Sequence, residues 1–167
     1  MKTNKTICLS YLLIIFALVI SSCCDSSISE YKPKNQDEKE IILLLIKYQD
    51  AKNNIDIEQL LSFLHDQGEF TFQCGRMVSK SVLREELPSF WADIQSGNAA
   101  VFPIVHECIN GDYYKSGELN NPLIVINNDT AEATVLFTNG VCRVLLYFSL
   151  LRENDRWLII RTEWGHS

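Results

Sequence analysis

At 167 residues the chain has room for one domain with its own core. With 15 basic against 21 acidic residues its formal net charge is −6, which excludes the clustered cationic surface that nucleic acid or anionic lipid demands. Cys74, Cys108 and Cys142 and the three histidines are scattered without a CxxC pair, so a zinc centre is not expected, nor any other metal or cofactor.

The N-terminus offers a different route to a membrane. Lys2 and Lys5 precede the apolar run Ile7 to Ile20. That run falls short of the roughly 20 residues needed to span a bilayer and has the proportions of a secretory signal core. Ile20-Ser21-Ser22-Cys23 follows and resembles a bacterial lipobox, in which small residues precede a cysteine that is cleaved and lipidated. The alternatives are an ordinary signal peptide with incidental cysteines, or an uncleaved anchor. Cys24 is a poorer attachment point than Cys23, because it puts Ser21 at the branched position. The expectation is a signal peptide over 1–22 and a protein anchored by lipid at Cys23 in the bacterial cell envelope, on a periplasmic or surface side. Loss of 1–22 leaves 13 basic residues and a net charge of −8. Cys74, Cys108 and Cys142 remain for the domain; one disulfide with a thiol left over is possible, and buried single thiols are the plainer expectation.

Residues 23–36 are polar, with one Pro and no periodicity from Asp25 onward, and predict a flexible tether. The domain is expected over 37–167. Asp37 to Asn53 predicts a helix: acidic residues crowd its start, and Ile41, Leu44, Leu45, Tyr48 and Ala51 form a wide apolar stripe. Asp56, with Gln59 three residues on, predicts the cap of a second helix over Ile57 to His65. Gly68 to Gln73 alternates as a strand and turns at Cys74-Gly75 into a short return, Arg76 to Val78. Ser79 is placed to cap a third helix with Leu83, Leu87, Phe90, Trp91 and Ile94 inward, which Pro88 should kink or split. Val101 to Ile109 predicts a strand and Asn110 to Asn121 a loop.

The last third is a meander. Pro122 to Ile126 opens it, and Asn127-Asn128-Asp129 makes the first turn. In Ala131 to Thr138, Ala131, Ala133, Val135 and Phe137 alternate with Glu132, Thr134 and Thr138, the period-2 pattern of a sheet with one wet face. Asn139-Gly140 suits a type I′ turn, and a last strand follows Asn154-Asp155. Val141 to Leu151 and Trp157 to Ile160 are instead apolar on both faces. An antiparallel sheet with a solvated back should not look like that, so a partner on the outer face is expected.

Two helices, a short hairpin, a third helix and a long meander ending in Arg156-Trp157-Leu158-Ile159 resemble the nuclear transport factor 2-like superfamily, which includes ketosteroid isomerase and the SnoaL-like cyclases. Tyr48 with Ala51 on the first helix and Asp56-Ile57-Glu58 opening the second also carry the resemblance. It covers roughly Asp37 to Glu163. It implies an α+β fold, a cone-like single domain in which a curved antiparallel sheet wraps the N-terminal helices, with an open end able to hold a small ligand. It also implies a homodimer through the sheet face. In the isomerases a carboxylate base works with a Tyr donor. Tyr48 falls at the Tyr position, but the base position falls on Phe72, which cannot take a proton.

The missing base makes a non-catalytic binding cone the first expectation, for a small hydrophobic ligand or another protein. The pocket is expected to draw on Tyr48, Phe72, Trp91, His106, Tyr147 and Trp164. The alternative is an isomerase- or cyclase-like enzyme using His106 as base and Tyr48 as donor. A third reading is a structural, dimerising subunit of an envelope complex. Arg143, Arg161 and Glu163 read first as cross-strand ion pairs on the solvent face. If that face lines the cone, Arg143 or Arg161 could grip a carboxylate.

Overall fold

The computed structural model describes residues 25–72, 75–96, 116–139 and 143–165. The signal segment, all six cysteines, His106, His166, Gly140 and the strand expected over Val101 to Ile109 lie outside them.

Helix α1 spans Gln36–Asn53. The Asn35 side chain caps it, accepting from the Glu38 N–H at 2.8 Å, and Asp37 and Glu38 place negative charge on the first turn. Its C-terminus closes as a Schellman motif: the Asp56 N–H donates to the Ala51 carbonyl at 2.9 Å and the Ile55 N–H to Lys52 at 3.2 Å. The left-handed position of that motif, which usually takes Gly, is held by Ile55 at φ 57°. A β-branched residue there costs about 1–2 kcal/mol; Ile55 recovers part of it by packing against the core.

Helix α2 spans Ile57–Ser62, with the Asp56 carboxylate accepting from the Gln59 N–H at 3.0 Å as the spacing predicts. It stops three residues before His65, because the Phe63 carbonyl accepts from the Ile159 N–H at 2.9 Å and the chain is already committed to the sheet. Strand β1 is Leu64–Phe72 and its hairpin partner β2 is Arg76–Ser79. His65 is therefore a strand residue beside Glu153, at 3.8 Å, and caps no helix. Helix α3, Lys80–Gln95, runs unbroken through Pro88. Pro88 and Arg84, four residues earlier, both face solvent, so water can satisfy the carbonyl that the proline leaves without a donor.

Strands β3 (Glu118–Asn127), β4 (Thr130–Thr138), β5 (Arg143–Glu153) and β6 (Arg156–Gly165) form the meander. The six-stranded sheet has the order β2-β1-β6-β5-β4-β3. The fold is thus α+β, with the helices on one face of a curved, open sheet, as the sequence predicts. The departure from a purely antiparallel sheet is the β1–β6 pair, which is parallel and shifts register between Leu64 and Glu69. Strand β3 begins four residues before Pro122. Register shifts between Asn120 and Leu123, with Asn121 at φ 50°, so Pro122 sits in a bulge on an edge strand, where its missing donor costs little. Asn154 and Asp155 both take positive φ, 51° and 58°, the requirement of a type I′ turn.

The inner face of the meander carries Ala133, Val135, Phe137, Val144, Leu146, Phe148, Leu150 and Ile159, all buried in one cluster with Ile41, Leu45, Leu61, Leu87 and Phe90 of the helices. Burial of this apolar area is the main favourable term in holding helices to sheet.

The sequence predicts a tether over Asp25 to Gln36, but from Asp25 onward the chain is docked. Ser27 bridges to Asn120, the Asn121 N–H donates to the Ser26 carbonyl at 2.8 Å, and the Asn121 side-chain amide donates to Asp25 at 2.8 Å. A 3-10 turn, Ile28–Glu30, then drops Ile28 into the core at 6% exposure. Asp25 also pairs with Arg143 at 3.0 Å and so connects β3 to β5 across β4. The apolar Ile28 and Tyr31, too sparse to show a period, are what tie this polar stretch down.

Candidate functional site

A cavity of about 50 Å³ lies between the helices and the inner face of the sheet. Leu83, Leu87 and Trp91 of α3 border one side; Phe70 and Phe72 of β1 and Leu146 and Phe148 of β5 border the sheet side. Tyr48 and Lys52, one turn apart on α1, close another.

The aromatic walls are fixed by packing. Phe72 meets Phe90 edge-on with ring centres 4.8 Å apart, and Tyr48 meets Phe148 at 5.5 Å and 83°. Burial pushes the Tyr48 phenol up to about 12, so it stays protonated and can donate. Lys52 is only 5% exposed, with its ammonium 4.2 Å from the centre of the Phe137 ring. Desolvation lowers its pKa to about 7, so both charge states are populated near neutral pH. Trp91, 3% exposed, has a buried indole Nε1 with no hydrogen-bond partner. An orphan donor of this kind is uncommon in a folded protein, since burying it without an acceptor costs free energy.

Glu163 also borders the cavity, but its carboxylate accepts from Arg161 Nε and is half exposed. Arg161 reaches Glu69 as well, at 3.6 Å, and Arg143 pairs with Asp25. Arg143 and Arg161 thus serve surface ion pairs and do not reach into the cone. Among the described residues no group of His, Cys, Asp and Glu is arranged to hold a metal ion.

Of the six residues expected to form a pocket, Tyr48, Phe72, Trp91 and Trp164 border this cavity. His106 lies outside the described residues. Tyr147 is a correction: it is 39% exposed on the outer face, opposite Thr134 and Glu163. Its ring lies over Gly165, where an added Cβ would come within 2.4 Å of it. Because β5 is apolar on both faces, hydrophobicity alone cannot phase it. The residue that sequence reasoning missed is Lys52. Its signal was its place four residues after Tyr48, where a cation extends an apolar stripe.

No protein-family model matches the sequence, and no curated protein matches it. Solved structures do. A Nostoc punctiforme protein of unknown function with a cystatin-like fold aligns at TM-score 0.58 and 16% identity, covering 80% of this chain and 93% of that one. An NTF2-like protein from Cytophaga hutchinsonii aligns at TM-score 0.57 and 17% identity, over 80% of this chain and 99% of the other. An NTF2-like protein of unknown function from Pseudomonas putida gives TM-score 0.56 and 15% identity, over 77% and 85%. At these identities it is the fold that is shared: the helices and open sheet described above make the nuclear transport factor 2-like cone.

Proposed function

We propose that this is a lipid-anchored bacterial envelope protein whose cone domain binds a small, largely apolar ligand without turnover. One observation carries the binding part: a cavity inside the cone is bordered mainly by apolar and aromatic residues, with Tyr48, Lys52, Thr71 and Thr162 among them, and a concave, mostly apolar hollow is the usual make-up of a ligand site. Phe72 at the position where an isomerase keeps its base supports binding over catalysis. The lipid anchor is supported by the order of Lys2, Lys5, the apolar run and Cys23. The test is fractionation of cells expressing Cys23→Ser. We expect the variant in the soluble fraction; continued membrane fractionation defeats the anchor.

The outer face of the sheet favours a second reading for assembly. Leu123 and Val125 are 65% and 62% exposed on β3, and Tyr147 is 39% exposed on β5, across Thr134 of β4. Patches of this kind mark interaction sites, and an isologous homodimer through this face accounts for it. Sedimentation of the purified protein as a monomer at tens of micromolar would sink that assembly.

A further inference from the structure

We propose that Leu123 and Val125 on β3 rest against the lipid bilayer, a second membrane contact beside the anchor at Cys23. This rests on the lipid anchor of the proposed function and specifies which surface of the domain that anchor presents to the membrane.

The course of the chain carries the inference. Cys24 alone stands between Cys23 and Asp25, where the docked segment begins. The Asn121 side-chain amide donates to the Asp25 carboxylate at 2.8 Å, and its oxygen accepts from the Ser26 N–H at 2.8 Å. Arg143 pairs with Asp25 at 3.0 Å, and Ile28 holds the segment down by its burial in the core. The chain therefore enters the domain at Asn121, on the strand that forms one edge of the sheet. Leu123 and Val125 follow two and four residues later, at most about 7 Å and about 14 Å along β3. A lipidated Cys23 sits at headgroup level, so both side chains lie within reach of the acyl boundary.

Their surroundings suit lipid. The two side chains are 65% and 62% exposed, and β3 carries no charged residue after Glu118. Glu132, opposite Val125 on β4, accepts from Ser149 Oγ at 2.9 Å and so leans toward β5, away from this edge. The net charge of −6 leaves no electrostatic pull toward anionic lipid, so a further contact with the bilayer has to be apolar. Two side chains would not hold a protein on a membrane by themselves. Beside an anchor they need not, because the contact is then intramolecular and its effective concentration is high. A homodimer would bury the same two side chains. That they stand beside the entry point of the chain is accounted for by the bilayer and not by a second copy.

The test is tryptophan fluorescence of the full lipidated chain in phosphatidylcholine vesicles, with and without brominated acyl chains as quencher. Leu123→Trp and Val125→Trp each place a probe in the patch. Met77→Trp is the control, since Met77 is 36% exposed on β2, the opposite edge of the sheet, about 24 Å away across five strand spacings. We expect brominated lipid to remove most of the fluorescence added in the patch and to leave that added on β2. Equal quenching at both edges, or at neither, overturns the contact and leaves the anchor. The mass of the purified chain tests the anchor separately: a chain without lipid on Cys23 overturns the anchor and the contact with it. The last arm is lipid-free Cys23→Ser protein carrying Leu123→Trp. Blue-shifted emission from it in solution, with no vesicles present, assigns the patch to a second copy and overturns the contact.

Discussion

Val144, Leu146, Phe148 and Leu150 on the inner face of β5 are buried, whereas their outer neighbours Leu145, Tyr147, Ser149 and Leu151 keep contact with solvent. The two faces are almost equally apolar in composition, so hydrophobicity does not decide which is covered. Pairing does. Glu132 and Thr134 on β4 stand opposite Ser149 and Tyr147, and a strand whose own wet face is unambiguous sets the phase of a neighbour whose face is not. The outer face is itself divided. Toward β6 and β1 it carries Arg161 between Glu69 and Glu163, and toward β3 it carries bare Leu123 and Val125.

The contrast between faces can be broken most forcefully from inside. Phe148→Ala removes a fully buried ring that packs on Tyr48, and should cost about 3–5 kcal/mol in denaturant unfolding. A loss under about 1 kcal/mol would mean that the inner face is not the core.

Lys52 is a buried cation on that inner side, and its linkage to pH has a definite sign. Its pKa is 10.5 when unfolded and about 7 when folded, so between those values the unfolded chain holds more protons. Stability therefore rises with pH from about 7 to 10.5, and below about 7 the whole penalty of the buried cation is felt. Lys52→Met should raise stability at pH 6 by about 1–3 kcal/mol and flatten that rise. A parallel rise in the variant would assign it to another group.

On the outer face the effects should be small in stability and large in assembly. Val125→Lys replaces a 62% exposed side chain, and its unfolding free energy should stay within about 0.5 kcal/mol of the parent. The same change should convert the proposed dimer to monomer in sedimentation; an unchanged assembly would exclude this patch as the interface. Smallest of all, Arg161→Ala should cost about 0–1 kcal/mol, since its ion pairs with Glu69 and Glu163 are exposed and screened. A loss above about 2 kcal/mol would show that the charged half of the face supports the fold directly.

Much of the architecture was legible because local rules agreed with tertiary need. The α1 stripe, the Asp56 cap and the alternation of Ala131 to Thr138 each signal one structure only. What escaped lay where two rules compete. Leu64 to Gly68 shows no alternation because β1 shifts register there against β6, so the strand looked as if it began at Gly68. Pro88 reads as a breaker in sequence but faces solvent in the helix. Tyr147 could not be phased without its partner on β4. Of the candidate site, the aromatic walls were readable as inward positions, and Lys52 was not. A cation at the end of a helix reads first as a response to the helix dipole.

The docking of Asp25 also bears on mechanics. With lipid on Cys23, Cys24 alone separates the anchor from a residue clamped to both Asn121 and Arg143. Two Cα–Cα steps reach about 7 Å, so the proposed attachment would work as a hinge pin and not as a leash. The domain of such a lipoprotein could not stand off from the membrane at arm's length. It would ride at the bilayer with the β3 edge of its sheet nearest the lipid, and any partner would have to approach from the side.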